Sequence, residues 1–123
     1  MKVKEIAQIN SAIKMLLDDT KVSFGTKLKF QFLTIMKQLE PIVTNITTLR
    51  DEKIREYGTE DENGEISIKK SDTETITKFQ KDMEELFNTD VDLVVTKINA
   101  EDIFQYKIPA DYLLALYSII EEE

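Results

Sequence analysis

Residues 23–58, SFGTKLKFQFLTIMKQLEPIVTNITTLRDEKIREYG, decide how this chain folds. Leu28, Phe32, Ile35, Met36, Leu39, Ile42, Val43, Ile46 and Leu49 recur at steps of three and four, which places them on one face of a helix. Ser23 is positioned to cap its start, and Gly58 suits the left-handed residue that closes a helix end. Unbroken from 24 to 57, such a helix extends about 51 Å at about 1.5 Å per residue. A domain of 123 residues is only about 35 Å across. Two geometries reconcile these lengths. The helix kinks at Pro41, whose ring removes the bond to the Lys37 carbonyl, or its far end protrudes and needs a partner. Thr44, Asn45, Thr47 and Thr48 weaken the stretch after Pro41 further, so the expectation is a kinked helix hairpinned against the one before it.

Upstream, Val3, Ile6, Ile9, Ile13 and Leu16/Leu17 form a second apolar stripe, closed by Asp18-Asp19-Thr20, since carboxylates oppose the negative end of a helix. Downstream, Asp61-Glu62-Asn63-Gly64-Glu65 reads as a turn. The alternation in Glu65-Ile66-Ser67-Ile68 adds a short strand, in a hairpin or bulged loop. Ser71-Asp72-Thr73-Glu74 has the form of a capping box opening a helix with Ile76, Phe79, Met83 and Leu86/Phe87 on one face. Val91, Leu93 and Val95 alternate with Asp92 and Val94, which predicts a strand from Asp90 to Ile98 paired with residues 65–68. Asn99 caps a brief helical turn carrying Ile103 and Phe104. Pro109 opens a last helix with Leu113, Leu116/Tyr117 and Ile120 inward, and Glu121–Glu123 fray its end. The expected fold is mainly α (α+β): one domain over residues 1–123, with four helices, a long kinked helix hairpin and a minimal two-stranded β ribbon.

Composition removes whole classes of chemistry. The chain has no cysteine, hence no disulfide, thiolate zinc site or cysteine nucleophile, and no histidine, hence no Ser-His-Asp triad or imidazole ligand. The apolar run Tyr112–Ile120 is less than half of the about 20 residues that span a bilayer. MKVKEIAQIN lacks the apolar core of a signal peptide, so the expectation is a soluble protein made in a cytoplasm, with no membrane partner.

The net charge of −8 is uneven. Residues 1–57 carry ten basic and seven acidic side chains, a net of +3, whereas residues 58–123 carry six and seventeen, a net of −11. A pI near 4.6 argues against nucleic acid as a partner, because phosphate binding requires Lys and Arg in excess. Lys21, Lys27, Lys29 and Lys37 read as the wet face of a helix. The uneven charge suits head-to-tail contact or docking onto a partner.

Residues 59–70 place Asp61, Asn63, Gly64 and Ile66 at positions three, five, six and eight of a calcium loop. However, Thr59 stands where the first aspartate is needed and Lys70 where the closing glutamate is needed, so a plain turn is expected and no metal. The carboxylate pairs Asp82/Glu85 and Glu101/Asp102 have polar neighbours, unlike the apolar pocket a general acid requires. Ser67 or Ser71 with Lys69 or Lys70 lacks oxyanion-hole glycines, and three glycines leave no phosphate loop. The reading is therefore not an enzyme, with no cofactor. Phe32, Phe79 and Phe87 fall on apolar stripes and are assigned to the core. Phe24 and Phe30, off the main face of the long helix, together with Phe104 and Tyr106, are the candidate interaction surface.

The order MKVKEIAQINSAI, a lysine-rich helix ending REYG, DENGE, FQKDMEELF, TDVDLVVTKI and IPADYLLAL resembles a family of small proteins of tailed bacteriophages and prophages, many in Gram-positive hosts. The resemblance covers nearly the whole chain and carries no catalytic signature. It implies a phage origin, synthesis in the host bacterial cytoplasm and possible virion association. The expected function is an accessory or assembly-linked protein acting through protein–protein contacts, alone or as a homo-oligomer, with a phage or host protein as partner. The alternative is an acidic inhibitor of a host enzyme or defence system, its negative half a decoy for a nucleic-acid-binding groove.

Overall fold

Helices α1 (Val3–Asp18) and α2 (Thr26–Tyr57) pack as an antiparallel hairpin in the computed structural model of the chain, which describes residues 1–122. The stripes that define them are what they bury. Ile6, Ile9, Ile13 and Leu16 of α1 meet Leu28, Phe32, Ile35 and Leu39 of α2, all at most 1% exposed. After a short hairpin of β1 (Thr59–Glu60) and β2 (Ile66–Ser67), the chain forms α3 (Thr73–Phe87), β3 (Ile98–Asn99), α4 (Ala100–Phe104) and α5 (Ala110–Leu116). A 3-10 turn at Tyr117–Ile119 and β4 (Ile120–Glu121) follow. The brief turn expected at Asn99 is thus a fifth helix, α4, and Asn99 caps it by accepting the Glu101 N–H at 2.9 Å. The mainly helical α+β class holds.

Helix α2 continues through Pro41 as one element of 32 residues, about 48 Å long. Its buried side chains all precede Pro41. From Glu40 to Val94 no residue is fully buried, so the distal half of α2, the β1–β2 hairpin and α3 form an arm beyond the main core. Ile42, Val43, Ile46 and Ile54 are half-buried and Leu49 is exposed.

The strand expected over Asp90–Ile98 does not form there, and residues 65–68 are not its partner. β2 pairs antiparallel with β1, Thr59 opposite Ser67 and Glu60 opposite Ile66, across the turn at Asn63-Gly64. Gly64 takes φ +81 there, a conformation open to glycine. The local partner closes a loop of a few residues, at about 1 kcal/mol less entropic cost than one of more than twenty. Meanwhile the 89–96 backbone is bonded elsewhere. Val91 N–H reaches the Met1 carbonyl at 2.8 Å, Val3 N–H the Thr89 carbonyl at 3.0 Å, and Thr96 N–H the Gln38 Oε1 at 2.8 Å. Only Ile98–Asn99 joins a sheet, parallel to Ile120–Glu121. The expected fraying at the end is therefore replaced by a 3-10 turn and this pairing, with Glu123 outside the described residues.

Three helix ends differ from expectation. α2 starts after Gly25, with Ser23 two residues too early to cap it. The cap of α3 is Asp72, not Ser71: its carboxylate accepts both Thr75 N–H at 3.1 Å and Thr75 Oγ1 at 2.7 Å, and a negative charge also suits a helix N-terminus. Gly58 is extended (φ −87), not left-handed. A Cβ there would collide with the Ile54 carbonyl and lie 2.8 Å from Ile66 Cγ2, so glycine lets β2 close onto α2.

Phe32→Ala should cost about 3–5 kcal/mol in urea denaturation, the range for an emptied aromatic core site, and Phe79→Ala in the arm clearly less. Native-state hydrogen exchange should show α3 amides opening at lower free energy than α1 amides.

Candidate interaction surface

The four aromatic residues singled out in the sequence divide into two pairs. Phe24 is half-buried and sets its ring edge-on to Phe32, with centroids 5.4 Å apart at 86°. Tyr106 is half-buried too, and its hydroxyl lies so close to Gly25 that a Cβ there would overlap it. Both pack against the main core, which corrects their assignment to an exposed surface. Their rings cover the gap left where the chain enters α2. Phe30 and Phe104 are exposed, at 69% and 54%. Asp102 of α4 accepts from Lys27 Nζ at 3.2 Å and Gln31 Nε2 at 3.5 Å, which docks α4 beside the first turns of α2. Phe30 points directly away from the core face of α2, and Leu33, one turn on, is 49% exposed.

The arm offers a second apolar surface that the sequence pattern hid. Its periodicity marks Phe79 and Phe87 as core, yet both are half-buried, and α3 has no fully buried residue. The reason is partnership: α3 packs mainly on the distal half of α2 and the thin β1–β2 hairpin, and only its C-terminal end, at Phe87, comes near α1. Ile54, Ile66, Ile68, Ile76 and Phe79 line an open groove of about 380 Å³. The exposed Ile66 of β2 forms one wall.

An ionic cluster holds α3 to α2. Tyr57 Oη donates to Asp82 Oδ2 at 2.6 Å, and Lys53 Nζ stands 3.6 Å from Asp82 and 3.0 Å from Glu56. The Tyr57 hydroxyl and then the Lys53 ammonium hold the Asp82 carboxyl below the usual carboxylate range. The same hydrogen bond to Asp82 pushes the Tyr57 phenol up. The bonds from Thr75 lower Asp72 likewise. A carboxyl held ionised in this way is poorly suited to donate a proton at neutral pH, so Asp82 serves docking better than general-acid chemistry. Nor is a third ligand near: no group of three or more acidic, Cys or His side chains converges as a metal site among the described residues. Asp61 of the abortive calcium loop uses its carboxylate on the turn itself, accepting Asn63 N–H at 2.8 Å and Glu65 N–H at 3.0 Å. No helix among the described residues is long and apolar enough to cross a membrane.

Because the folded state depresses Asp72 and Asp82, their contribution is complete above the ordinary carboxylate pKa and is lost as pH falls through the folded values. Tyr57, raised in the folded state, contributes below the ordinary phenol pKa and loses its part as pH rises through the folded value. The opening free energy of α3 amides, taken from exchange rates divided by their intrinsic pH-dependent rates, should therefore be steady near neutrality and fall below about pH 4 and above about pH 10. Asp82→Asn should shrink the acid step. Phe30→Ala should leave the melting temperature within about 1–2 °C of the parent, as for other exposed sites, while weakening any partner that uses this face.

Compared with known proteins, the chain matches no family model, no curated protein and no solved structure.

Proposed function

We propose that this protein works by binding other proteins, without catalysis, as an accessory or assembly-linked component of a tailed phage. One observation carries the reading: an arm of three elements whose apolar side chains are only half covered within the chain itself. Isoleucines at 54, 66, 68 and 76 and Phe79 keep an open groove against water. Leaving such a surface wet is unfavourable by roughly 25 cal/mol per Å² of apolar area that a partner would cover. Contiguous exposed apolar surface rimmed by polar residues marks a contact site more often than a solvated one. The occupant proposed for it is an apolar helix or strand of a phage or host protein, made in the same bacterial cytoplasm. The phage setting rests on the resemblance of the sequence strings.

A second reading draws on the exposed carboxylates Glu60, Glu62 and Glu65 at the tip of the β1–β2 hairpin. Here the protein is an acidic decoy that occupies a basic groove of a host enzyme or defence protein. Salt separates the two, since exposed charge pairs are screened within about 8 Å at physiological ionic strength and more strongly above it.

The test is capture from infected-cell lysate with the full chain and with an Ile66→Asp/Ile76→Asp variant, followed by mass spectrometry of the captured proteins and of purified particles. The apolar reading expects a partner that persists in 0.5 M salt and disappears with the variant. Equal capture by variant and parent overturns it, and loss in salt alone points to the decoy.

A further inference from the structure

We infer that the outer face of α1 is a two-fold interface between copies of this chain, in which the basic groove of each copy receives the acidic groove of the other. This surface lies on the main core, away from the arm, and goes beyond the reading above.

Helix α1 lies between α2 and α5, and its exposed residues Lys4, Gln8, Ser11 and Met15 recur at steps of three and four as an outward ridge. A groove opens on each side of that ridge. Toward α2, an open cavity of about 460 Å³ is lined by Leu33, Met36 and Val43, with Lys14 and Lys37 on its rim. Glu40, one turn beyond Lys37, also lines it. Toward α5, a cavity of about 480 Å³ is lined by Ala12, Met15, Leu114 and Ala115, with Asp111 as its charged residue. Its continuation along α1 adds another carboxylate, Glu5. The two flanks are thus similar in size and opposite in charge, in a protein whose net charge is −8. Lys14, Lys37 and Asp111 make no ion pair among the described residues, whereas Lys27 and Lys53 do.

Lys14 and Met15 are consecutive, so the basic rim and the Asp111 side of the other groove stand at the same level along α1. That coincidence selects the symmetry. Turning a second copy by 180° about an axis parallel to α1 exchanges left with right and keeps the level. Lys14 and Lys37 of one copy then face Asp111 of the other. Leu114, 75% exposed, stands over the cavity floored by Leu33 and Met36. Each contact is made twice, as a closed isologous interface requires. Along the axis, Gln8, Ser11 and Met15 meet their own copies, with Lys4 at the N-terminal end of the ridge beyond them. An axis perpendicular to α1 would instead set lysines over lysines. Charge complementarity therefore names a second copy as the occupant, and Leu114 supplies the apolar anchor a stable contact needs.

Sedimentation velocity on the full chain at micromolar concentrations tests this, with twice the chain mass of 14.3 kDa as the expected species. Leu114→Asp should give monomer with unchanged helical circular dichroism. Lys37→Glu and Asp111→Lys should each weaken the dimer about tenfold or more, because every substitution appears twice and sets like charges together. The K37E/D111K double variant should recover the dimer, since its exchanged charges face one another again. That recovery keeps the test decisive even if Leu114→Asp misfolds. A parent that stays monomeric, a dimer indifferent to Leu114→Asp, or a double variant no better than its singles overturns the proposal. Phe79→Asp in the arm should leave the dimer intact, so failure here and failure of the arm as a binding site are read separately.

Discussion

A helix of 32 residues reaches further than the core of a 123-residue chain can follow, and the rest of the structure accommodates that length. The first half of α2 buries Leu28, Phe32, Ile35 and Leu39 against α1, which fixes the antiparallel hairpin and gathers the other core residues, Val95 to Ile119, around it. Past Leu39 the helix has no fully buried residue, and Ile42 and Val43 are the last of its side chains packed against the core. The boundary is marked by Gln38, whose amide clasps Thr96 through both a donated bond at 2.7 Å and an accepted one at 2.8 Å. There the returning chain is tied back to α2 by side-chain hydrogen bonds in place of a strand ladder.

Beyond that boundary the molecule relies on a different balance of forces. The arm is held by half-buried isoleucines and by the Tyr57–Asp82–Lys53 cluster, whose lysine also sits 5.9 Å from the Tyr57 ring centre. Such contacts fix geometry at modest net stability, because exposed ion pairs contribute little and apolar groups left half wet contribute only part of their transfer energy. A segment built this way opens more readily than the core and retains free energy to gain from a partner. The same physics separates the aromatic residues: Phe24 and Tyr106 close the start of α2, while Phe30 and Phe104 stay outside.

Much of the architecture was legible because it follows from short-range rules. The stripes of α1 and α2, the Asn63-Gly64 turn, the helix carrying Ile76 and Phe79, and the opening of α5 next to Pro109 each depend on a few neighbouring residues. What misled were features with competing local solutions. The alternation Val91-Asp92-Leu93 describes a strand equally well whether its backbone meets another strand, the Met1 carbonyl or the Gln38 side chain. Ser71 and Asp72 are both good caps, and the carboxylate wins through its charge and its second acceptor oxygen. Gly58 reads as a left-handed stop, whereas the requirement it meets is the approach of Ile66. Phe79 and Phe87 have a core pattern without a core to join, since periodicity records which side is apolar and not how many elements cover it.

The sequence alone therefore determined the long helices, the Asn63-Gly64 turn, the pairing of the first two helices and the chemistry excluded by the absence of cysteine and histidine, all set by composition or by residues within a turn of one another. Only the tertiary structure decided that α2 divides into a buried half and an arm, and which aromatic side chains are covered. It alone decided that oppositely charged grooves flank one ridge of α1. Those outcomes depend on distances between residues far apart in the chain, where the energy of contact is set by what else occupies the same space.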